Sequence, residues 1–177
     1  SQTFEGVFDA AALPATLPAL FLAAGALLML LIEIVPGARP ARPLVVVASL
    51  VGALVAQWTQ LSAPAGPVLG GIYASTEVTA VWGLLFAGGA LLAWVYSIGY
   101  YGGKARPFLA EHDMLFLSAP AGMTMMVQAT DLLMFFVGLE VLSLPLYALA
   151  AFRRDRHDSV EAGLKYFLLG AFAAATF

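Results

Sequence analysis

Six apolar stretches, at residues 13–35, 44–61, 78–98, 114–129, 132–152 and 160–177, are separated by short polar segments along the chain. A helix needs roughly 20 apolar residues to cross a hydrocarbon layer about 30 Å thick, because its backbone groups must be satisfied internally there. The expected fold class is therefore all-α, a polytopic transmembrane bundle of about six helices. A content of 62% hydrophobic and 11% charged residues agrees, since a soluble domain of 177 residues has too little interior to bury so much.

Charge placement gives the orientation. Arg39 and Arg42 follow the first stretch, Lys104 and Arg106 the third, and Arg153, Arg154 and Arg156 the fifth; the other loops and residues 1–12 carry no Lys or Arg. Cationic loops stay on the cytoplasmic side, so this alternation predicts six spans with the N-terminus outside. Glu5 and Asp9 are the wrong charge for a signal-peptide n-region, so the first helix is expected to be retained. The sixth stretch reaches Phe177 with no Gly, Asn or polar flank after it, which reads as an N-terminal portion truncated within or at the end of that helix.

Local signals refine the elements. Pro36-Gly37 closes the first helix, and residues 62–76, rich in Pro and Gly, read as a loop. Tyr96, Tyr100 and Tyr101 suit a headgroup region. Thr130 or Asp131 is placed to cap the fifth helix, and Asp158 and Glu161 have the spacing of a capping box for the sixth. Pro120 and Pro145 each remove an amide donor, freeing the carbonyls of Phe116 and Val141.

The chain has no cysteine, which excludes disulfides and thiolate-held iron–sulfur clusters within it, and no basic stripe suggests nucleic acid. His112 and His157 read as loop residues and supply no intramembrane haem pair. Metal ligands and a cofactor site are accordingly not expected.

Two ionisable residues fall inside spans. Glu140 lies about 13 Å from the outer end of the fifth helix, near the midplane, and Lys165 roughly 10 Å from the inner end of the sixth. An intramembrane ionisable group is a functional candidate by default. A carboxyl held between hydrocarbon, which favours its neutral form, and a cation, which favours its charged form, can exchange a proton. If the two helices form an antiparallel hairpin, Glu140 and Lys165 can communicate directly or through one or two waters. Ser143 and Tyr147 share the face of Glu140, and Pro145 could help hold water beside it. The plainer readings stand beside these: a hydrogen-bonded structural carboxyl, an ordinary proline kink, and a Lys165 that merely pairs with Glu161 four residues earlier. Glu33 is best explained by a surface ion pair with Arg39 or Arg42.

Residues 129–172, ATDLLMFFVGLEVLSLPLYALAAFRRDRHDSVEAGLKYFLLGAF, resemble subunit N of the proton-pumping NADH–quinone oxidoreductase, respiratory complex I. GLEVLSLPLYAL followed by SVEAGLKYFLLGAF carries the resemblance, and the other spans are similar in number and orientation. The resemblance implies a membrane-arm subunit that couples electron transfer from NADH to quinone to proton translocation. It makes Glu140 and Lys165 members of a proton relay, supported by Ser143, Pro145, Tyr147 and Glu161. It implies partnership with other membrane-arm subunits, the antiporter-like sisters among them, and location in a bacterial inner membrane. NADH, flavin, iron–sulfur clusters and quinone would then belong to other subunits. Two other readings remain open: a subunit of a multi-subunit cation/proton antiporter, or a structural membrane scaffold whose buried charges fix helix packing.

Overall fold

The computed structural model describes residues 12–35, 37–63, 65–101 and 110–176, with the side chains of Tyr100 and Tyr101 left aside. Expectations for Glu5, Asp9, Pro36, Lys104, Arg106, the two tyrosines and the end at Phe177 lie outside the described residues. Six long helices are described: α1 Ala12–Ile34, α2 Arg42–Gln60, α3 Glu77–Tyr101, α4 Ala110–Gln128, α5 Leu132–Ala150 and α6 His157–Thr176. A short 3-10 turn, Arg39–Ala41, leads into α2.

Four of these segments are long and apolar enough to cross a membrane: Ala12–Ile34, Arg39–Gln60, Glu77–Gly99 and Leu132–Ala150. What separates α4 and α6 from them is charge near the helix start. Glu111 and Asp113 open α4, and Asp158, Glu161 and Lys165 lie on α6.

The helices pack around α4, which touches α5, α1 and α3 and, over a shorter stretch, α2, while α6 packs against α5. Leu22, Met29, Val46, Leu50 and Leu117 are fully buried where α1, α2 and α4 meet. Much of the outer surface is apolar, as Leu27, Leu92, Leu133 and Phe172 illustrate. An apolar exterior around a small-residue interior is the arrangement a bundle takes when lipid replaces water as its solvent.

The closest approach is between α4 and α5. A Cβ placed on Gly122 would come within 2.4 Å of the Leu142 amide nitrogen and 2.7 Å of the Gly138 carbonyl. One on Gly138 would lie 2.9 Å from the Met126 amide nitrogen. Two glycines facing each other let the backbones of α4 and α5 meet.

The bundle is all-α as expected, and the segment 62–76 read as a loop carries a short hairpin within it. Strands β1, Gly66–Val68, and β2, Tyr73–Ser75, pair antiparallel through a turn in which Leu69, Gly70 and Gly71 all take positive φ. Strands of three residues leave almost no alternation to recognise, and the Pro and Gly that mark a turn dominate the sequence signal. The hairpin is fastened to the α4–α5 turn by a bridge between Tyr73 and Ala129, by the Thr130 amide donating to the Ile72 carbonyl at 3.1 Å, and by the Thr130 hydroxyl donating to the Gly71 carbonyl.

Burial holds the Tyr73 phenol above its ordinary value of 10.0. As pH rises past 10.0 the unfolded chain loses this proton while the docked hairpin keeps it, so Tyr73 makes stability fall with pH above 10.0 and leaves it unchanged below. Thermal midpoints should therefore drop more steeply above pH 10 in the wild type than in Tyr73→Phe. Parallel curves would contradict this assignment.

Three local readings meet the structure differently. Asp131 caps α5 as expected, its carboxylate accepting the Met134 amide at 2.7 Å. Glu33 accepts a hydrogen bond from Arg39 at 2.8 Å in an exposed ion pair. The capping box is corrected: α6 begins at His157, Asp158 sits in its first turn paired with Arg156 at 3.1 Å, and Glu161 turns to Lys165.

Candidate functional site

Glu140 lies two turns into α5, two residues after Gly138, and is half-buried. It lines two recesses. One, of about 390 Å³, lies between α5 and α6 and is walled by Phe136, Leu144, Tyr147, Phe167 and three alanines of α6. The other, of about 400 Å³, lies toward α4 and is lined by Phe136, Val137, Val141, Leu144, Pro145 and Ser118. Glu140 is thus a carboxyl at the wall between two mostly apolar spaces. Among the described residues no side chain hydrogen-bonds to it or pairs with it.

Tyr147 is brought to the same recess, its ring edge-on to Tyr166 at 4.8 Å and to Phe167 at 5.8 Å. Its hydroxyl occupies the space beside Gly170, where any Cβ would strike it. Pro145 is buried and lines the second recess, whereas Ser143 is half-buried and lines neither.

Lys165 is placed differently. Its ammonium donates to the Glu161 carboxylate at 2.5 Å across one helical turn, with side-chain exposures of 70% and 48%. His157 approaches the other Glu161 oxygen at 3.8 Å. Lys165 therefore pairs with its neighbour on α6, and no direct ion pair joins it to Glu140. Four residues on a helix bring Glu161 beneath Lys165 with no tertiary requirement, whereas reaching Glu140 requires crossing to another helix at a different depth. Glu161→Gln should free this ammonium. The expected result is faster modification of Lys165 by an amine-reactive reagent, and an unchanged rate would show that the pair does not shield it.

Two buried polar clusters escaped the sequence reading. At the hairpin end, Gln60 donates to the Pro14 carbonyl at 2.9 Å and accepts from Ser75 at 3.3 Å and from Gln128 at 3.4 Å, while Gln128 also donates to the Ala15 carbonyl at 3.2 Å. One turn away, Gln57 is 1% exposed and neither polar atom of its amide has a hydrogen-bond partner among the described residues. It fits only because Gly83 has no side chain; a Cβ there would lie 2.1 Å from its amide nitrogen. At the opposite end, the Trp94 indole donates to Asp113 at 3.3 Å, and His112 approaches the same carboxylate oxygen at 3.3 Å. His112 is therefore corrected from a loop residue to a buried member of α4, packed against Phe116 and Phe152. The three glutamines inside apolar spans were the available signal for the first cluster, and the second had none in the local sequence.

No group of three or more His, Cys, Asp or Glu is arranged to hold a metal ion among the described residues. Apolar helices of spanning length and a glycine-mediated close contact define a multi-pass membrane protein with a carboxyl, Glu140, between two recesses of its fifth helix.

Comparison with known proteins gives the family. Residues 129–177 match the NADH:quinone oxidoreductase/Mrp antiporter transmembrane family. NADH-quinone oxidoreductase subunit N of Rhizorhabdus wittichii is 40% identical over 167 residues, 93% of this chain and 34% of that protein. Subunit N 1 of Acidiphilium cryptum is 37% identical over 160 residues, 89% of this chain and 33% of that protein. Subunit N 1 of Rhizobium meliloti is 34% identical over 164 residues, 93% of this chain and 34% of that protein. The chain belongs to the NADH–quinone oxidoreductase subunit N/Mrp-antiporter-like transmembrane family. It spans about a third of the length of these relatives. Bacterial relatives and apolar helices of spanning length mark it as a multi-pass protein of the bacterial inner membrane.

Proposed function

We propose that this chain acts in the membrane arm of an NADH–quinone oxidoreductase, where it helps couple electron transfer from NADH to quinone to proton translocation. Its partners are the other membrane-arm subunits, including the antiporter-like sisters, and the redox groups and quinone belong elsewhere in the complex. All six helices cross the bilayer, with the N-terminus outside and the Arg-bearing α1–α2 and α5–α6 turns inside. The observation that carries this reading is Glu140, a carboxyl inside a spanning helix with a recess on either side.

Glu140 is the proton carrier. Water entering either recess reaches the same carboxyl, so a proton taken up on one side can leave on the other when the helices shift. Tyr147 orders the α6 side, and buried Pro145 shapes the α4 side. Lys165 is held by Glu161 at rest and acts on Glu140 only after that pair opens. Ser143 supports the carrier from its own helix face. The family's other branch favours a second reading, a subunit of a cation/proton antiporter, in which the same carboxyl would exchange protons for a metal cation.

Removing the chain from its host membrane separates these readings. Loss of the proton gradient formed on adding NADH supports the coupled role. A preserved NADH-driven gradient with lost sodium/proton exchange would support the antiporter and overturn the first reading.

A further inference from the structure

A further recess among the described residues is of another kind. It is a groove of about 340 Å³ with α4 as its floor, at Phe116, Ala119, Pro120 and Met123, and with α3 and α5 as its walls. The wall of α3 runs from Leu85 to Ala93, about 12 Å at 1.5 Å per residue, and the wall of α5 ends at Leu149. No lining side chain offers a hydrogen bond, so the groove suits hydrocarbon and disfavours a polar group at this depth. The small residues Gly89, Ala90 and Ala93 make the groove, and a Cβ on Gly89 would meet nothing within 4 Å.

Leu149 lines the end of the groove one residue before α5 ends at Ala150, and Arg153 and Arg154 follow in the turn directly after that helix. Arg153 pairs with Asp155 at 3.6 Å and Arg156 with Asp158 at 3.1 Å. Exposed Arg154 has no carboxylate partner among the described residues. An apolar groove whose end is followed in the next turn by an arginine without a carboxylate partner among the described residues is complementary to one class of molecule, with an acyl tail and an anionic head. An arginine near the headgroup level attracts acidic lipid, and its planar fork suits a phosphate.

We propose that the α3–α4–α5 groove binds one acyl chain of an anionic phospholipid whose phosphate is held by Arg154. The tail separates α3 from α5, which otherwise face each other across α4, and so fixes the side of α5 opposite α6. The site depends only on this end of the bundle and stands whichever transport reaction the chain serves.

Native mass spectrometry of the purified protein tests this, after equilibration with phosphatidylglycerol and phosphatidylcholine of identical acyl chains. The wild type should retain phosphatidylglycerol about fivefold over phosphatidylcholine, the factor one arginine near an acidic surface provides. Arg154→Gln should bring the ratio close to one with tail binding preserved. Gly89→Leu, which fills the groove without striking backbone, should remove both lipids while helix content by circular dichroism is unchanged. A headgroup preference that survives Arg154→Gln would overturn the assignment of the phosphate. Undiminished lipid with Gly89→Leu, or weakened assembly of the larger complex with no change in lipid, would show that the groove holds something else.

Discussion

Glu140→Gln is expected to lower coupled proton translocation on the order of 10²-fold, the scale on which a positioned proton-transfer group acts, while the assembled complex forms in normal amount. Gln is the informative replacement because it matches Glu in size and keeps a polar end between the two recesses. The walls at Phe136 and Leu144 therefore keep their contacts, and the change removed is the gain and loss of a proton. Proton movement in membrane vesicles and the amount of complex by native electrophoresis must be measured on the same preparation. Unaltered pumping in an assembled complex would remove Glu140 from the proton path. Failed assembly without a separate pumping defect would make the residue a scaffold, the structural alternative that its burial equally allows.

Gly122→Ala is expected to cause the largest loss of stability of any single methyl in the described bundle. The new Cβ meets the α5 backbone at two points, the Leu142 amide and the Gly138 carbonyl, and backbone cannot rotate away as a side chain can. Overpacking of this kind costs about 1–3 kcal/mol or more, and here it also moves α5, and Glu140 with it, off α4. Gly88→Ala is the matched control, since its Cβ would meet nothing within 4 Å. A lowered thermal midpoint and raised protease sensitivity in Gly122→Ala, with neither in Gly88→Ala, is the expected pair of results. Equal behaviour of the two variants would mean that the glycine contact does not hold the helices together.

The helices were legible because hydropathy over a span is strong and needs no tertiary knowledge. The start of α4 was less so: Glu111, His112 and Asp113 have the composition of a loop, yet His112 and Asp113 are buried helix residues satisfied by contacts with Trp94, Phe116 and Phe152. Such burial is decided by what packs alongside, which is invisible in the local sequence. The hairpin at Gly66–Ser75 was hidden by its brevity, and it is held in place by Thr130 and Ala129, far away along the chain.

At the candidate site, the sequence placed Glu140 within an apolar helix, and the structure adds the two recesses and the company of Tyr147. It also gives Lys165 a local partner, which the spacing to Glu161 already allowed and which the functional reading must now treat as a pair that opens. The Gln57, Gln60 and Gln128 cluster was readable only as isolated polar residues, because three glutamines on two helices acquire a shared meaning only once α2 and α4 are adjacent.

The central claim is that Glu140 changes protonation during turnover. Difference infrared spectroscopy of the complex, oxidised minus NADH-reduced, reports this through the stretching band of a protonated carboxyl. The account predicts a carboxyl band that appears or shifts on reduction and is missing in Glu140→Gln. Spectra of the wild type and Glu140→Gln that coincide throughout the carboxyl region would contradict it.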